Sequence, residues 1–350
     1  MTSNTSMAYI RAVDTVLPPH HYTQHEIREV VRSWLADDAK ERDLLLRFLD
    51  SVQVKNRAFA VPVETLLRSP GVEERAAIFE EVGAELGVQA ARKCLLSANC
   101  DAKEVSTVVF TSCTIPSIPA IDTRIINALG INPSVFRVPI YQYGCAGGAA
   151  GIALACKLAA NGPALLVSVE LCSLIFQKAD LSTGNLVGSA LFGDGAGAVL
   201  VDQHSSGVEV VDTRSFLVPN TQSLMGYNLL SDGPHLRLQR ELPGVLGAHA
   251  APVIEELLRR NSLRPSDISS WLIHPGGVRI LNLVEETFGL TTGQTHWSWD
   301  VLSQKGNMSS ASLLFVLDAF IRDKHAATGE YSVMLGVGPG LNIEGLLLKI

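Results

Sequence analysis

Four short sequence patterns each occur twice in this chain of 350 residues, in the same order both times. They are a strand that follows an acidic turn, a run of small residues that opens an apolar helix, a glycine-led turn before a strand, and a glycine-rich turn that runs into a strand. The paired segments are 102–112 and 265–275, 144–154 and 306–316, 162–169 and 329–336, and 193–202 and 338–347. Apolar strands that alternate with helices are typical of buried sheets covered by helices. The sequence therefore predicts two copies of one α/β unit, with chance similarity among α/β elements as the alternative.

The repeat divides the chain into two halves, residues 1–203 and residues 204–350. Helical apolar spacing is found at 22–48, 72–96 and 248–261. Residues 204–247 contain several turn-forming residues and are expected to form a loop-rich hairpin excursion between the copies. Those residues are Pro219, Gly226, Gly233, Pro234 and Gly244.

Composition excludes several function classes. With 47% hydrophobic residues, 18% charged residues and a net charge of −7, the chain is neither disordered nor equipped with the basic face that nucleic acid requires. The apolar stretch Ala164–Phe176 is interrupted by Glu170 and is too short to span a bilayer. Residues 1–10 lack the basic and apolar regions of a signal peptide. The six cysteines show neither CxxC spacing nor nearby histidines, which indicates reduced thiols, no metal site and a cytoplasmic protein.

Cys145 lies where an apolar segment gives way to a small-residue helix start, Gly144–Gly148. The positive end of a helix dipole is expected to lower the pKa of a thiol there and to make it a nucleophile. A buried structural cysteine is the alternative interpretation of this motif.

His274 and Asn307 are the other two candidates for chemistry. His274 ends an apolar strand and is followed by Pro-Gly-Gly, although a lone histidine is more often a structural core residue. Asn307 lies 162 residues after Cys145, at the corresponding place of the second repeat copy. Pseudo-two-fold symmetry therefore predicts that Cys145 and Asn307 sit on facing helix starts, with His274 contributed by the half that carries Asn307.

Five motifs taken together resemble the type III polyketide synthases of the bacterial type, in the chalcone-synthase-like branch of the thiolase-fold condensing enzymes. They are Gly144–Gly148, Leu191–Gly197, His274–Gly277, Gly306–Ala311 and Gly336–Gly340. The resemblance covers essentially the whole chain. It implies a thiolase-like α/β fold in which two pseudo-repeated halves form a layered αβαβα core, and a homodimer.

The resemblance also implies the activity. Cys145 would hold the starter acyl group, and His274 and Asn307 would stabilise the enolate formed when malonyl-CoA loses CO₂. Repeated Claisen condensation and cyclisation would give a pyrone, a resorcinol or a related polyketide. CoA thioesters are substrates, and no metal or organic cofactor is implied. The alternatives are a single condensation like that of β-ketoacyl-acyl carrier protein synthase III, a thiol hydrolase and a non-catalytic partner subunit.

Further residues match binding positions of the family. Those implied to line the acyl cavity are Phe192 and Leu236 as gatekeepers, Cys172, Ile175, Ser309, Gly338 and Pro339, with Ile118 reaching across the dimer into the partner's cavity. Arg47 and Lys55 match the basic cluster that binds CoA, but Leu44 and Ser51 stand where lysines are expected. That leaves open a starter on an acyl carrier protein, or a weaker CoA site that uses Arg57.

The gatekeeper positions also bear on the starter. Leu236 in place of an aromatic residue removes bulk and a stacking surface, which predicts an aliphatic acyl starter. Ile175 works in the opposite direction, because its bulk would shorten the cavity and favour a small starter or malonyl-CoA itself.

Overall fold

The computed structural model describes residues 7–204, 206–323 and 327–350, so the first six residues of the segment 1–10 discussed above lie outside it. The strands in this part of the chain are β1 (Ala8–Val16), β2 (His20–Thr23), β3 (Asn56–Phe59), β4 (Thr107–Ser112), β5 (Phe136–Tyr141), β6 (Ala164–Leu171), β7 (Asp194–Asp202), β8 (Val208–Leu217), β9 (Met225–Leu230), β10 (Gly233–Leu238), β11 (Ile268–Ile273), β12 (Tyr331–Gly338) and β13 (Asn342–Lys349).

The helices follow the apolar spacing of the sequence. They are α1 (Gln24–Trp34), α2 (Ala39–Ser51), α3 (Val63–Leu67), α4 (Val72–Ile78), α5 (Ala84–Ser97), α6 (Asp122–Leu129), α7 (Gly147–Leu158), α8 (Thr183–Leu191), α9 (Leu242–Arg260), α10 (Val278–Phe288), α11 (Thr292–Lys305) and α12 (Ser309–Asp323). A capping box starts α1, where Thr23 and Glu26 satisfy each other's backbone N–H groups.

The strands of the two halves pair in the same pattern. In the N-terminal half β4 lies parallel to β6, β6 antiparallel to β7, and β7 antiparallel to β1. In the C-terminal half β11 lies parallel to β12, β12 antiparallel to β13, and β13 antiparallel to β8. The repeat predicted from the sequence is therefore present in the fold, and β5 adds an edge strand beside β4.

A short seam joins the half-sheets into one sheet of nine strands, in the order β11-β12-β13-β8-β1-β7-β6-β4-β5. At this seam, Ala8–Ile10 of β1 lies antiparallel to Val208–Val210 of β8. The strands β9 and β10 form a separate two-stranded ribbon.

Three apolar clusters show how the layers are arranged. The helices α7 and α12 pack with inner-face residues of both half-sheets, such as Leu166 and Leu272. Helix α5 covers the outer face of the N-terminal half-sheet, and α9 covers that of the C-terminal one. The result is the layered αβαβα core of a thiolase-like fold, which confirms the predicted fold class.

The two central helices touch through their backbones. A Cβ atom added at Gly148 of α7 would lie 2.3 Å from the carbonyl oxygen of Ser310 in α12. Such a distance is well inside van der Waals contact, so only glycine permits this approach. The contact brings together the first turns of α7 and α12, next to Cys145 and Asn307.

One sequence interpretation was wrong for part of the excursion between the copies. Within 204–247 the ribbon β9–β10 agrees with the expected hairpin, but residues 208–217 form β8, a full strand of the main sheet. Its inward residues alternate with polar ones, so its pattern is weaker than that of the fully buried strands β6 and β7.

Candidate active site

Cys145 and Asn307 occupy the turns that precede α7 and α12. Cys145 lies in a 3₁₀ turn, Gly144–Ala146. Gly144 has φ +61°, and a Cβ atom there would lie 2.3 Å from Cδ of Pro339. A Cβ atom at Gly338 would lie 2.7 Å from the backbone nitrogen of Ala146. Gly338 and Pro339 therefore pack on the backbone of the cysteine turn and hold its shape.

The thiol of Cys145 is enclosed by polar groups. Burial raises its pKa to about 11, and hydrogen bonds from the side chains of Ser309 and Asn307 act in the opposite direction. The charge of Glu170 raises the pKa further. The expectation of a lowered pKa at this helix start was wrong, because the loss of hydration outweighs the local hydrogen bonds. The free enzyme thus carries Cys145 as a neutral thiol at neutral pH.

The side chain of Asn307 has a defined orientation. Its Oδ1 accepts hydrogen bonds from the backbone N–H of Ser309 at 2.8 Å and from Oγ of Ser312 at 3.4 Å. Because Oδ1 is engaged on this side, Nδ2 is left to donate, and the Asn307 side chain lies close enough to the thiol of Cys145 to lower its pKa. The structure thus brings together Cys145 and Asn307, as the repeat predicted.

His274 follows β11 directly and is 2% exposed. Its backbone N–H donates to the carbonyl of Leu335 at 2.8 Å. Neither ring nitrogen has a hydrogen-bond partner within the described ranges, so no hydrogen bond joins the imidazole to Cys145. Burial lowers the pKa of His274 to about 3, and the imidazole is therefore neutral. A buried polar ring without a hydrogen-bond partner is unfavourable, and it indicates a position where a ligand can supply the missing hydrogen bond.

A buried carboxyl group lies behind the thiol. Glu170 accepts hydrogen bonds from the hydroxyls of Thr114 and Ser310 and from the backbone N–H of Cys113. The sulfur of Cys113 lies 3.1 Å from Oγ of Ser309, which also contacts Cys145. Burial raises the pKa of Glu170 despite these bonds.

A small cavity of about 70 Å³ lies beside this centre; we call it the apolar cavity. The predicted residues Phe192, Leu236, Cys172 and Ile175 line it together with α1 and α3. Cys145, His274 and Asn307 are not among its lining residues. The residues that were predicted to line one acyl cavity thus lie in two places. Ser309, Gly338 and Pro339 lie around the thiol, and the other four line the apolar cavity.

Comparison with known proteins identifies the family. The family profile for chalcone and stilbene synthases, N-terminal domain, matches residues 1–205, and the profile for their C-terminal domain matches residues 209–350. The chain belongs to the chalcone and stilbene synthase family. It is similar to 1,3,6,8-tetrahydroxynaphthalene synthase of Streptomyces peucetius subsp. caesius, with 34% identity over 349 residues that cover 97% of this chain and 92% of that protein.

Two further relatives support this assignment. The alpha-pyrone synthesis polyketide synthase-like Pks18 of Mycobacterium tuberculosis is 30% identical over 363 residues, which cover 99% of this chain and 92% of that protein. The crystal structure of 1,3,6,8-tetrahydroxynaphthalene synthase from Streptomyces coelicolor A3(2), a bacterial type III polyketide synthase, superposes with a TM-score of 0.93 at 28% identity and covers 97% of this chain and 99% of that one. The chain is therefore a type III polyketide synthase, an acyltransferase that condenses malonyl-CoA iteratively.

The predicted residue at the dimer interface and the predicted CoA-binding residues of this type III polyketide synthase lie on its surface, with the exception of Arg57. Ile118 is 97% exposed, and Arg47 and Lys55 are also exposed. Lys55 lines a groove whose other charged lining residues, in the described part of the chain, are acidic: Asp50, Glu285 and Asp300. Arg57 is 2% exposed and donates to two backbone carbonyls, so the suggestion that it contacts CoA was wrong. No helix in the described ranges is long and apolar enough to cross a membrane.

Tyr227 is a site residue that the sequence did not reveal. It lies on β9 opposite Leu236 of β10. Its phenol end is enclosed, and burial raises its pKa, with the nearby groups Cys113, Cys172, Glu170 and Cys145 acting in the same direction. In the sequence, only the position of Tyr227 next to Met225-Gly226 could have indicated that it belongs to the site. That segment has no alternation of apolar and polar residues that would distinguish the buried face of the strand from the exposed one.

Proposed function

We propose that Cys145, His274 and Asn307 carry out the reaction of this type III polyketide synthase, with malonyl-CoA as extender and a starter delivered on CoA or on an acyl carrier protein. The observation that supports this most directly is that the Asn307 side chain lies close enough to the Cys145 thiol to lower its pKa, because the two residues come from different halves of the chain. The unpartnered ring of His274 supplies the third group.

In the loading step the sulfur of Cys145 attacks the carbonyl carbon of the starter thioester. A bond forms between the sulfur and the acyl carbon, and the bond from that carbon to the CoA sulfur breaks. The thiol and the imidazole are both neutral in the free enzyme. The proton of Cys145 therefore passes through His274 to the departing CoA thiolate during the attack.

In the extension step the carbon–carbon bond of the malonyl group breaks and CO₂ leaves. The electron pair becomes an enolate on the thioester, whose oxygen accepts hydrogen bonds from the N–H of neutral His274 and from Nδ2 of Asn307. Donors placed where charge develops typically contribute about 3–4 kcal/mol each. The enolate carbon then attacks the acyl group on Cys145, and the thiolate that leaves is ready for the next round. No step calls for a metal or an organic cofactor.

The raised thiol pKa predicts how alkylation of Cys145 depends on pH. Inactivation by iodoacetamide should accelerate about tenfold per pH unit between about pH 7 and pH 9, because the thiolate fraction is still far from saturation there. Mass spectrometry of the modified protein identifies the alkylated residue, and Cys145→Ala supplies the background. A rate that levels off near pH 6 would instead reveal a preformed ion pair with His274.

The starter that we propose is small, with malonyl-CoA serving as both primer and extender, and the product is a polyhydroxylated aromatic compound. Tyr227 supports this proposal, because its enclosed phenol lies near Cys145 and Cys172, and a ring at that position leaves less room for an aliphatic chain. Relatives named 1,3,6,8-tetrahydroxynaphthalene synthase point the same way. The apolar cavity, which Phe192 lines, favours a second candidate, an aliphatic starter and an alkylpyrone product.

The test compares products of the wild-type enzyme with those of Tyr227→Gly. With malonyl-CoA alone the wild type should yield an aromatic product, and kcat/KM should fall along an acyl-CoA series from about two to about sixteen carbons. Tyr227→Gly should reverse this trend, since each buried methylene contributes roughly 0.8 kcal/mol once space is available. Tyr227→Phe, which keeps the ring, is the matched control. A wild-type preference that rises with chain length would support the alkylpyrone candidate.

We also propose a cytoplasmic homodimer in which the loop around Ile118 contacts the partner subunit. The side chain of Ile118 is 97% exposed, and Phe136 on the edge strand β5 is 59% exposed. Exposed apolar groups of this kind are typical of interfaces. All six cysteines are free thiols, which suits a reducing compartment. Light scattering should give about twice 37.5 kDa.

A further inference from the structure

Arg57 on β3 is a buried cation that the reaction described above does not use. Its side chain is 2% exposed. Burial lowers its pKa to about 10, with the charge of Asp194 acting in the opposite direction, so the guanidinium is charged at neutral pH. Burying a charged group is costly unless it is paired and hydrogen-bonded. The hydrogen-bond partners of this guanidinium indicate what it does in the fold.

The guanidinium holds the segment that ends α8. Its Nη1 donates to the carbonyl of Ser189 at 2.6 Å and to the carbonyl of Phe192 at 3.1 Å. Ser189 belongs to α8, and Phe192 is the first residue beyond it. Arg57 thus fixes the direction in which the chain leaves the helix and enters β7.

That same segment holds Asn307. The backbone N–H of Asn307 donates to the carbonyl of Leu191 at 2.9 Å, and the carbonyl of Asn307 accepts from the N–H of Gly193 at 3.0 Å. The two bonds form a parallel bridge between Phe192 and Asn307, which belong to different halves of the chain. They orient the backbone from which the Asn307 amide reaches Cys145.

The stem of Arg57 also packs against the residue before Asn307. Gly306 has φ +71°, and a Cβ atom there would lie 2.6 Å from the carbonyl oxygen of Leu191 and 3.3 Å from Cγ and Cδ of Arg57. Arg57 therefore contacts both sides of the bridge, its head on the Phe192 side and its stem on the Asn307 side.

We infer that Arg57 is a positioning residue that holds the 191–193 segment so that Asn307 presents its amide to the enolate oxygen. The inference rests on the role proposed above for Asn307. A displacement of about 1 Å at a catalytic donor costs about a hundredfold in rate, so a residue two contacts away has a measurable effect. Decarboxylation of malonyl-CoA depends directly on this donor, whereas transfer of a starter to Cys145 depends first on the thiol.

The experiment compares Arg57→Met and Arg57→Lys with Arg11→Met. Arg11 is a matched control, since it donates to the carbonyl of Ala98 at 2.6 Å and to Asp202 but lies on β1, away from the bridge. We measure kcat and KM for malonyl-CoA decarboxylation, and the rate of acylation of Cys145 by intact-protein mass spectrometry. In Arg57→Met, kcat for decarboxylation should fall about tenfold or more relative to the acylation rate, with KM little changed. Arg57→Lys, which keeps a charged donor, should restore part of the loss.

Equal losses in decarboxylation and acylation, or no loss in either, would overturn the inference, as would a split of the same size in Arg11→Met. If Arg57→Met does not fold, Arg57→Lys tests the inference instead. Hydrogen exchange of the backbone N–H of Asn307 should be faster in Arg57→Lys than in the wild type, while exchange in α9 is unchanged. Asn307→Leu in the same assay separates the two proposals. If Asn307→Leu decarboxylates malonyl-CoA at the normal rate, the proposed function fails. If Asn307→Leu loses this activity and Arg57→Met keeps it, only the positioning role of Arg57 fails.

Discussion

Replacing Cys145 with alanine is expected to abolish polyketide formation, a loss of more than about a thousandfold, because every extension passes through a thioester on this sulfur. Decarboxylation of malonyl-CoA should persist, since the mechanism proposed above assigns stabilisation of the enolate to His274 and Asn307. Product formation is followed by mass spectrometry, and decarboxylation by release of CO₂. A single acyl adduct on the wild type should be missing from the variant.

The matched control for this experiment is Cys156→Ala. Cys156 lies on α7, the helix that follows the cysteine turn, and packs against the central apolar cluster. It should keep both activities and the adduct. An acyl adduct that remains in Cys145→Ala would assign the nucleophile to another cysteine.

Replacing His274 with alanine is expected to reduce malonyl-CoA decarboxylation by about a hundredfold to a thousandfold, the usual effect of removing one donor to a developing oxyanion. The buried imidazole is neutral, with a pKa of about 3, so its N–H donates throughout the neutral range. The decarboxylation rate of the wild type should therefore show no acid limb with a midpoint near pH 6.5, the pKa of an ordinary histidine.

His274→Gln tests whether donation is the property that matters, because glutamine keeps an N–H group and should recover part of the rate. His249→Ala is the control: this histidine lies on α9 and bonds the carbonyl of Val245 in its own helix. A normal rate in His274→Ala, or an acid limb near pH 6.5, would contradict a neutral donor at this position.

The repeat in the sequence was sufficient to predict two copies of one α/β unit and the meeting of Cys145 with Asn307, whereas the layered αβαβα arrangement was implied by the family resemblance. Its strands β6 and β7 are apolar throughout, and both central helices begin in runs of small residues that identify them. The strand β8 was missed because five of its ten residues are polar and only Val208 and Val210 are fully buried. Local pattern therefore identified the buried elements, and partial exposure hid the others.

The parts of the site that could not be predicted depend on three-dimensional packing. The pKa of Cys145 is set by burial and by Glu170, neither of which the helix-start motif contains. Tyr227 enters the site because the β9–β10 ribbon packs over it, with Gln177 donating to the carbonyl of Pro234. Arg57 reads as one more basic residue in sequence, and its role emerges only from the two carbonyls that it contacts.

The β1–β8 seam and the backbone contact at Gly148 join the two halves of the enzyme into one stiff block. The ribbon β9–β10 forms an adjustable cover on this block. A hinge between the halves would have to separate both the seam and the Gly148 contact, and it would pull Asn307 away from Cys145. The ribbon β9–β10, which carries Tyr227 and Leu236, lies outside the nine-stranded sheet, packs on α8 at Gly184 and accepts a hydrogen bond from Gln177. Substitutions in the ribbon can therefore change the space offered to an acyl chain while Cys145 and Asn307 keep their relative positions. An enzyme built in this way can acquire new products by altering its cover alone.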